Sequence, residues 1–205
     1  MDIQVIGLDL AGSSNRSTGF CLLNRKNVTT KILFDDKEIV NVIMSTNSRL
    51  VAIDAPLSLP KDRCCLSDDC PCKGKGHLRE SDKVLLKMKI KFFPLTLGPM
   101  RMLTIRGMKI AEMLRLDGLE VIEVYPGGAQ DVWGIPRKQK GEQLLRYNLR
   151  TLGICGIKKD AGHDELDAVT CALVAKAYKE GHFSAIGDPK EGLIIMPKNK
   201  KEAKL

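Results

Sequence analysis

The sequence has few aromatic residues and no long apolar segment. Phe, Trp and Tyr make up 4% of its 205 residues, which argues against a protein that stacks successive bases of a single strand on aromatic side chains. No apolar run is long enough for a membrane-spanning helix, and the start MDIQVIGLDLAG lacks the basic-then-apolar pattern of an export signal. We therefore expect a cytoplasmic protein without membrane contact.

Acidic residues are outnumbered by basic ones. The chain has 33 Lys and Arg against 25 Asp and Glu, a formal net charge of +8. Such an excess suits a polyanionic partner, DNA or RNA, through phosphate neutralisation and counterion release. A lysine-rich surface selected for heat tolerance or solubility explains the same charge equally well. We expect a single domain over residues 1–197, followed by a short basic tail at 198–205.

The hydrophobic pattern predicts an α/β fold. Strands are predicted over 3–11, 18–24, 27–34, 49–56 and 119–126, with one last short strand at 191–197. Helical spacing predicts helices over 35–47, 78–90, 98–118 and 140–153, and from about 164 onward. A meander followed by strand–helix–strand crossovers indicates a mixed sheet with helices on both faces. Right-handed crossovers would place the strand ending at Asp54 beside the strand that carries Asp9.

Several acids lie in unusual places. Asp9, Asp54 and Glu123 each stand in or at the end of an apolar strand, where a lone charge is costly. Asp164 and Asp167 begin the last helix three residues apart, so they share one face. Acids in a first helical turn often serve only to complement the helix dipole. Carboxylates that crowd together need a divalent cation, however, and oxygen ligands favour Mg²⁺ or Mn²⁺.

Four of the seven cysteines lie within nine residues, in RCCLSDDCPCKGKGH. Thiolates at this density in a cytoplasmic protein predict a loop over 60–77 that is stabilised by structural Zn²⁺. Disulfides are the alternative if the source is a hyperthermophile. The expected zinc ligands are four of the five side chains Cys64, Cys65, Cys70, Cys72 and His77.

The motifs GLDLAGS, VAIDAPLSLP, RESD, EVYPGG, HDELDAVTCAL and GDPKEGLIIMP, in this order, resemble a prokaryotic family catalogued as domain of unknown function 429. That family consists of predicted RNase H-like nucleases. The resemblance implies an RNase H-like fold, with a five-stranded mixed sheet of three antiparallel and then two parallel strands. It also implies a metal site formed by Asp9, Asp54, Asp164 and Asp167.

The resemblance implies roles for three further residues. In the family pattern R-x-x-D, Arg79 is expected to bind a substrate phosphate and Asp82 to orient it, and a simple helical ion pair is the alternative. His163 followed by Asp167 is similar to the helix entry of Holliday-junction resolvases. His163 is a candidate substrate contact, general base or hydrogen-bond donor to a metal ligand, and a structural histidine at a helix start is the alternative.

One feature departs from ribonuclease H itself, which carries a Glu within its first helix. The corresponding helix here offers only Glu38 near its start. This argues against RNA–DNA hybrids as the substrate and favours a nuclease directed by nucleic-acid structure, with Glu123 as the source of the missing oxygen.

We therefore predict a metal-dependent nuclease that hydrolyses phosphodiester bonds by a two-metal-ion mechanism. One alternative is a nucleotide phosphotransferase of the actin and sugar-kinase type. It would need two copies of the domain, hence a homodimer. The other alternative is a catalytically silent nucleic-acid-binding protein of the same fold.

Overall fold

A seven-stranded mixed sheet forms the centre of the structure. The computed structural model describes residues 4–199, so most of the predicted basic tail, together with residues 1–3, lies outside the described residues. The strands lie side by side in the order β3-β2-β1-β4-β5-β7-β6. Their bounds are β1 Gln4–Asp9, β2 Thr18–Asn24, β3 Asn27–Leu33, β4 Leu50–Asp54, β5 Glu120–Val124, β6 Phe183–Asp188 and β7 Gly192–Pro197.

The strand directions give the sheet an RNase H-like arrangement. β1, β2 and β3 form an antiparallel meander, and β4 and β5 continue the sheet parallel to β1. The predicted count of five strands is too low. A hairpin of β6 and β7 extends the sheet beyond β5, with β7 parallel to β5. The predicted last strand at 191–197 is confirmed as β7, whereas β6 was not predicted.

Six α-helices cover the two faces of the sheet within residues 4–199. They are α1 Asp36–Met44, α2 Glu80–Lys87, α3 Gly98–Leu116, α4 Pro126–Trp133, α5 Glu142–Thr151 and α6 His163–Lys179. α1 and α3 pack on one face, and α6 packs on the other with α4 and α5 beside it. No helix in this part of the chain is long and apolar enough to cross a membrane.

Two glycines let α6 lie directly on the sheet. A Cβ atom on Gly7 would stand 2.2 Å from the carbonyl oxygen of Ala168, and one on Gly19 would stand 2.0 Å from that of Asp164. Only a residue without a side chain fits such a contact. Gly19 is also the register partner of Asp9. The glycine contact therefore fixes the first turn of α6 beside the end of β1.

Candidate active site

The central parallel strands bring two of the predicted acids together. β1 and β4 end at the same edge of the sheet, where Asp9 and Asp54 are register partners. Side chains alternate between the faces of a strand. Asp9 shares its face with Val5, and Asp54 shares its face with Ala52, both of which pack in the core under α6. Both carboxylates therefore point to the side of the sheet that α6 covers.

The first turns of α6 add two more acids to this position. The Asp167 carboxylate accepts a hydrogen bond from the Gln130 amide at 2.8 Å, and Asp164 accepts one from the Ser17 hydroxyl. The negative charges of Asp167 and Asp164 repel the Asp9 carboxylate, and both raise its pKa. Four carboxylates from β1, β4 and α6, predicted from sequence as a group, therefore lie near enough to repel one another. Among the described residues, however, only the four cysteines of the cysteine-rich loop form a group of three or more possible metal ligands whose ligand atoms all lie within 4.8 Å of one another. We call Asp9, Asp54, Asp164 and Asp167 the acid cluster.

One lysine faces the acid cluster from a short 3-10 turn at Lys138–Lys140. The Lys138 ammonium lies 2.8 Å from Asp167 Oδ2 and 3.6 Å from Asp9 Oδ2. Burial lowers the pKa of Lys138, but attraction to Asp9 and Asp167 outweighs it and raises that pKa. The lysine is therefore a firmly charged cation, and it offsets part of the negative charge of the acid cluster.

The acid cluster carries more negative charge than its surroundings satisfy. Burial is the main cause that raises the pKa of Asp9 to about 7; Lys138 opposes it, and Asp167 and Asp164 add to it. Burial, then repulsion by Asp9 and Asp167, raises the pKa of Asp54 well above its ordinary value. The buried Oδ2 atom of Asp9 accepts no hydrogen bond within 3.5 Å from a described residue, and the ammonium of Lys138 reaches it only at 3.6 Å. A buried carboxylate oxygen with so distant a partner, among acids whose pKa values are raised, fits a site for a further cation.

Glu123 points away from the acid cluster. It alternates with Val124, which packs under α6, so its carboxylate lies on the α3 side of the sheet. Both of its oxygens are already bound. Oε1 accepts from Arg79 Nη2 at 2.8 Å, and Oε2 accepts from Arg79 Nη1 and from the Leu57 amide, each at 2.7 Å. This arrangement differs from the predicted role, in which Glu123 supplies an additional oxygen in support of the catalytic acids.

The Arg79 guanidinium is likewise fully hydrogen-bonded to other groups of the protein. Only 2% of its side chain is exposed. Its five N–H donors are all used, by two bonds to Asp82, two to Glu123 and one to Ser58. No donor is left for a substrate phosphate, which was the predicted role. Arg79 instead ties the chain after β4 to β5 and to the start of α2, and Asp82 caps α2 by accepting from the Arg79 amide.

His163 lies at the outer edge of the acid cluster. Its side chain is exposed, with Nδ1 3.0 Å from Glu142 Oε1 and Nε2 3.4 Å from Asp164 Oδ1. The imidazole therefore contacts one member of the acid cluster from the solvent side. Such a position suits an orienting or proton-carrying role and equally suits a structural one.

The cysteine-rich loop brings four sulfurs together. Cys64 Sγ lies 3.5 Å from Cys70 Sγ, and Cys65 Sγ lies 3.7 Å from Cys72 Sγ. All four atoms are within 4.8 Å of one another, and all four cysteines are free thiols. The fifth predicted ligand, His77, is not part of this group. Its Nδ1 lies 3.3 Å from the Thr96 hydroxyl instead.

Sequence reasoning did not identify three polar residues that contact the acid cluster. Lys138, Gln130 and Ser17 each contact an acid that is distant in the chain; Gln130, for example, is 37 residues from Asp167. No local spacing links such pairs, and none of the three stands out from its sequence neighbours. Only the fold could reveal them.

A family model described as protein of unknown function (DUF429) matches residues 7–191. The chain belongs to this family. The chain is also similar to a solved structure, T. thermophilus RuvC in complex with Holliday junction substrate, with a TM-score of 0.48 and 10% sequence identity. That alignment covers 87% of this chain and 96% of the RuvC chain. A search of curated proteins gave no match.

Proposed function

We propose that this protein is a nuclease that hydrolyses phosphodiester bonds with the help of Mg²⁺ or Mn²⁺. The observation that carries the proposal is the meeting of four mutually repelling acids at the ends of β1 and β4, around a buried Asp9 oxygen that accepts no hydrogen bond within 3.5 Å from a described residue. Asp9, Asp54 and Asp167 are the proposed metal ligands, and Asp164 is the fourth.

The donor set suits a hard divalent cation. It consists of carboxylate oxygens, which favour Mg²⁺ and Mn²⁺ over softer metals. The single ammonium of Lys138 cannot balance four carboxylates. A divalent ion would reduce the repulsion that remains among these carboxylates. When bound, such an ion lowers the pKa of a water molecule and offsets charge that develops on the phosphate oxygens.

The remaining residues have distinct proposed roles. Gln130 and Ser17 hold the carboxylates of Asp167 and Asp164 in place through hydrogen bonds. Lys138, which lies beside Asp167 and Asp9, would contact a phosphate oxygen of a bound substrate. His163, next to Asp164, is positioned to accept or supply a proton at the solvent side. The net charge of +8 favours the approach of a polyanion.

Cleavage of labelled DNA, RNA, hybrid and junction substrates in Mn²⁺ tests the proposal. We expect Asp9→Asn to lower the rate by at least about 100-fold, because the variant loses a metal ligand. Asp117→Asn is the matched control, since Asp117 is an exposed acid at the far end of α3, and it should cleave at the wild-type rate.

Calorimetric titration of Mn²⁺ into the same proteins separates the alternatives. Loss of Mn²⁺ binding in Asp9→Asn together with loss of cleavage supports the nuclease. Equal Mn²⁺ binding by wild type and Asp9→Asn, without cleavage by either, would contradict the proposal and favour a catalytically silent binding protein.

We also propose that the cysteine-rich loop binds one structural Zn²⁺ through its four cysteines. Tetrahedral Zn–S bonds of about 2.3 Å place neighbouring sulfurs roughly 3.8 Å apart, close to the 3.5 and 3.7 Å found here. Disulfide sulfurs would be about 2.05 Å apart. In a reducing cytoplasm the thiols remain free to bind metal.

Metal analysis of the purified protein tests the zinc proposal. We expect about one zinc per chain, released by four equivalents of a thiol-modifying mercurial. Cys70→Ser should lose the zinc, whereas Cys155→Ser should keep it because Cys155 lies outside the cluster. Zinc-free wild-type protein from a zinc-replete culture would contradict the proposal.

A further inference from the structure

A cavity of about 310 Å³ opens beside the acid cluster. Asp54, Asp167 and Lys138 are among the residues that line it, so the cavity adjoins the proposed metal site. Much of the remaining lining is apolar, and it includes Phe92, Phe93, Leu95, Met100 and Leu103. The volume is at the lower end of the roughly 300–1,000 Å³ found for small-ligand sites, which suits one nucleotide.

The carboxylates of the acid cluster are largely covered by protein. Only 12% of the Asp9 side chain and 5% of the Asp167 side chain are exposed. A nucleotide that leaves the helical stack brings its phosphate closer to such carboxylates than a nucleotide held in a regular duplex, and its base then needs an apolar place to lie.

Phe93 provides a surface for such a base. It lines the cavity, yet 72% of it is exposed, which is a large exposure for an aromatic side chain. The chain before it is held in place, because the carbonyl oxygen of Lys91 accepts hydrogen bonds from the Tyr125 hydroxyl and from Arg137. Gln139, also at the cavity, carries an amide that can bond a base edge.

We propose that this cavity binds the base of a single unpaired nucleotide, stacked on Phe93, while the adjacent phosphate lies at the acid cluster. The substrate is then a nucleic acid with an unpaired or extruded nucleotide, and a regular duplex is a poor substrate. The low aromatic content argues only against several aromatic side chains that stack successive bases. A single aromatic side chain that stacks one base is compatible with it. This inference rests on the proposed nuclease function and names its substrate class.

Duplexes that differ at one position test the inference. The first has one bulged adenine, the second has an abasic residue in the same bulge, and the third is fully paired. Cleavage is measured in Mn²⁺ and affinity by anisotropy. We expect the bulged adenine to be bound and cleaved at least about tenfold better than either of the others. The abasic bulge isolates the base, because it distorts the duplex without supplying one.

Three variants separate the cavity from the acid cluster. Phe93→Ala should abolish the preference for the bulged adenine, Phe93→Tyr should keep it, and Phe34→Ala, an exposed phenylalanine outside the cavity, should leave it unchanged. Mn²⁺ binding should be the same in all three, since none is in the acid cluster.

The outcomes distinguish this inference from the proposed function. Equal cleavage of all three duplexes overturns the inference and leaves the nuclease intact. Absence of cleavage, with no difference in Mn²⁺ binding between wild type and Asp9→Asn, overturns both. If deoxyadenosine monophosphate competes as strongly as the bulged duplex, the cavity takes free nucleotides, and the inference of a strand substrate fails.

Discussion

Asp9 is a residue whose proposed role in metal binding requires a buried negative charge that destabilises the fold. Its carboxyl is buried among other acids, and its pKa is raised from 3.8 to about 7. Between these two pH values the folded state holds a proton that the unfolded chain has lost. Because the folded state binds more protons, the contribution of Asp9 to stability falls as the pH rises through this window.

We expect Asp9→Asn to be more stable than wild type at pH 8 in buffer free of Mg²⁺ and Mn²⁺. The difference in the free energy of unfolding should be on the order of 2–4 kcal/mol. It should shrink towards pH 4, because the Asp9 carboxyl is then protonated and as uncharged as the asparagine that replaces it. Urea unfolding at several pH values measures it. A wild type that gains stability relative to Asp9→Asn from pH 5 to pH 8 would contradict the raised pKa.

The acids of the site were predictable from sequence, and their cationic partner was not. Asp9 and Asp54 stand out because a charged side chain in an apolar strand is disfavoured and requires an explanation. Lys138 is one of 33 basic residues, and nothing around it distinguishes it from solvated lysines. Glu123 shows the limit of the same reasoning. It was grouped with the other acids because it also lies in an apolar strand, yet strand alternation turns it to the opposite face.

At the scale of elements, the contact of α6 with β1 and β2 determines the position of Asp164 and Asp167. The helix can approach the sheet because Gly7 and Gly19 present no side chain to it. The backbone of Asp164 itself contacts Gly19. Any group added at that point must push the first turn of α6, and the acids it carries, away from Asp9.

We expect Gly19→Ala to destabilise the protein by roughly 1–3 kcal/mol, the usual cost of overpacking, and to weaken Mn²⁺ binding. Thermal unfolding and calorimetric titration measure the two effects. Gly98→Ala is the control, because a Cβ atom there meets nothing within 4 Å, and it should leave both unchanged. A destabilised Gly19→Ala with wild-type Mn²⁺ affinity would show that the placement of α6 does not control the site.

The helices and strands that could be predicted from the sequence were those whose apolar residues recur at a regular spacing. The strands of the meander, the central parallel strands and the long helices α3 and α6 follow from such patterns. α4 was not predicted, because its first residues are Pro126, Gly127 and Gly128, which resemble a turn in sequence. Pro is nevertheless well suited to a first helical position. β6 has little burial on either face and so lacks the alternation that marks a strand.

At the scale of the whole molecule, the sheet separates two apolar cores, and the acid cluster lies at the edge where strands and α6 meet. The cores supply the stability that holds unfavourable charges together. A ligand that binds only the folded protein adds to that stability by mass action, so stability itself reports the metal.

We therefore expect Mn²⁺ to close or reverse the difference in stability between wild type and Asp9→Asn at pH 8. At 100 times its dissociation constant, Mn²⁺ should stabilise wild type by about 2.7 kcal/mol and the variant by little, since the variant lacks a ligand. Without Mn²⁺ the variant is the more stable protein, because it lacks the buried charge; with Mn²⁺ saturating, the gap closes or changes sign. Thermal unfolding at a series of Mn²⁺ concentrations measures this difference in stability, and Asp117→Asn is expected to behave as wild type.

Equal stabilisation of wild type and Asp9→Asn by Mn²⁺ would contradict the prediction. The ion would then bind elsewhere, with the four cysteines as the first alternative, and the acid cluster would not be the source of the activity.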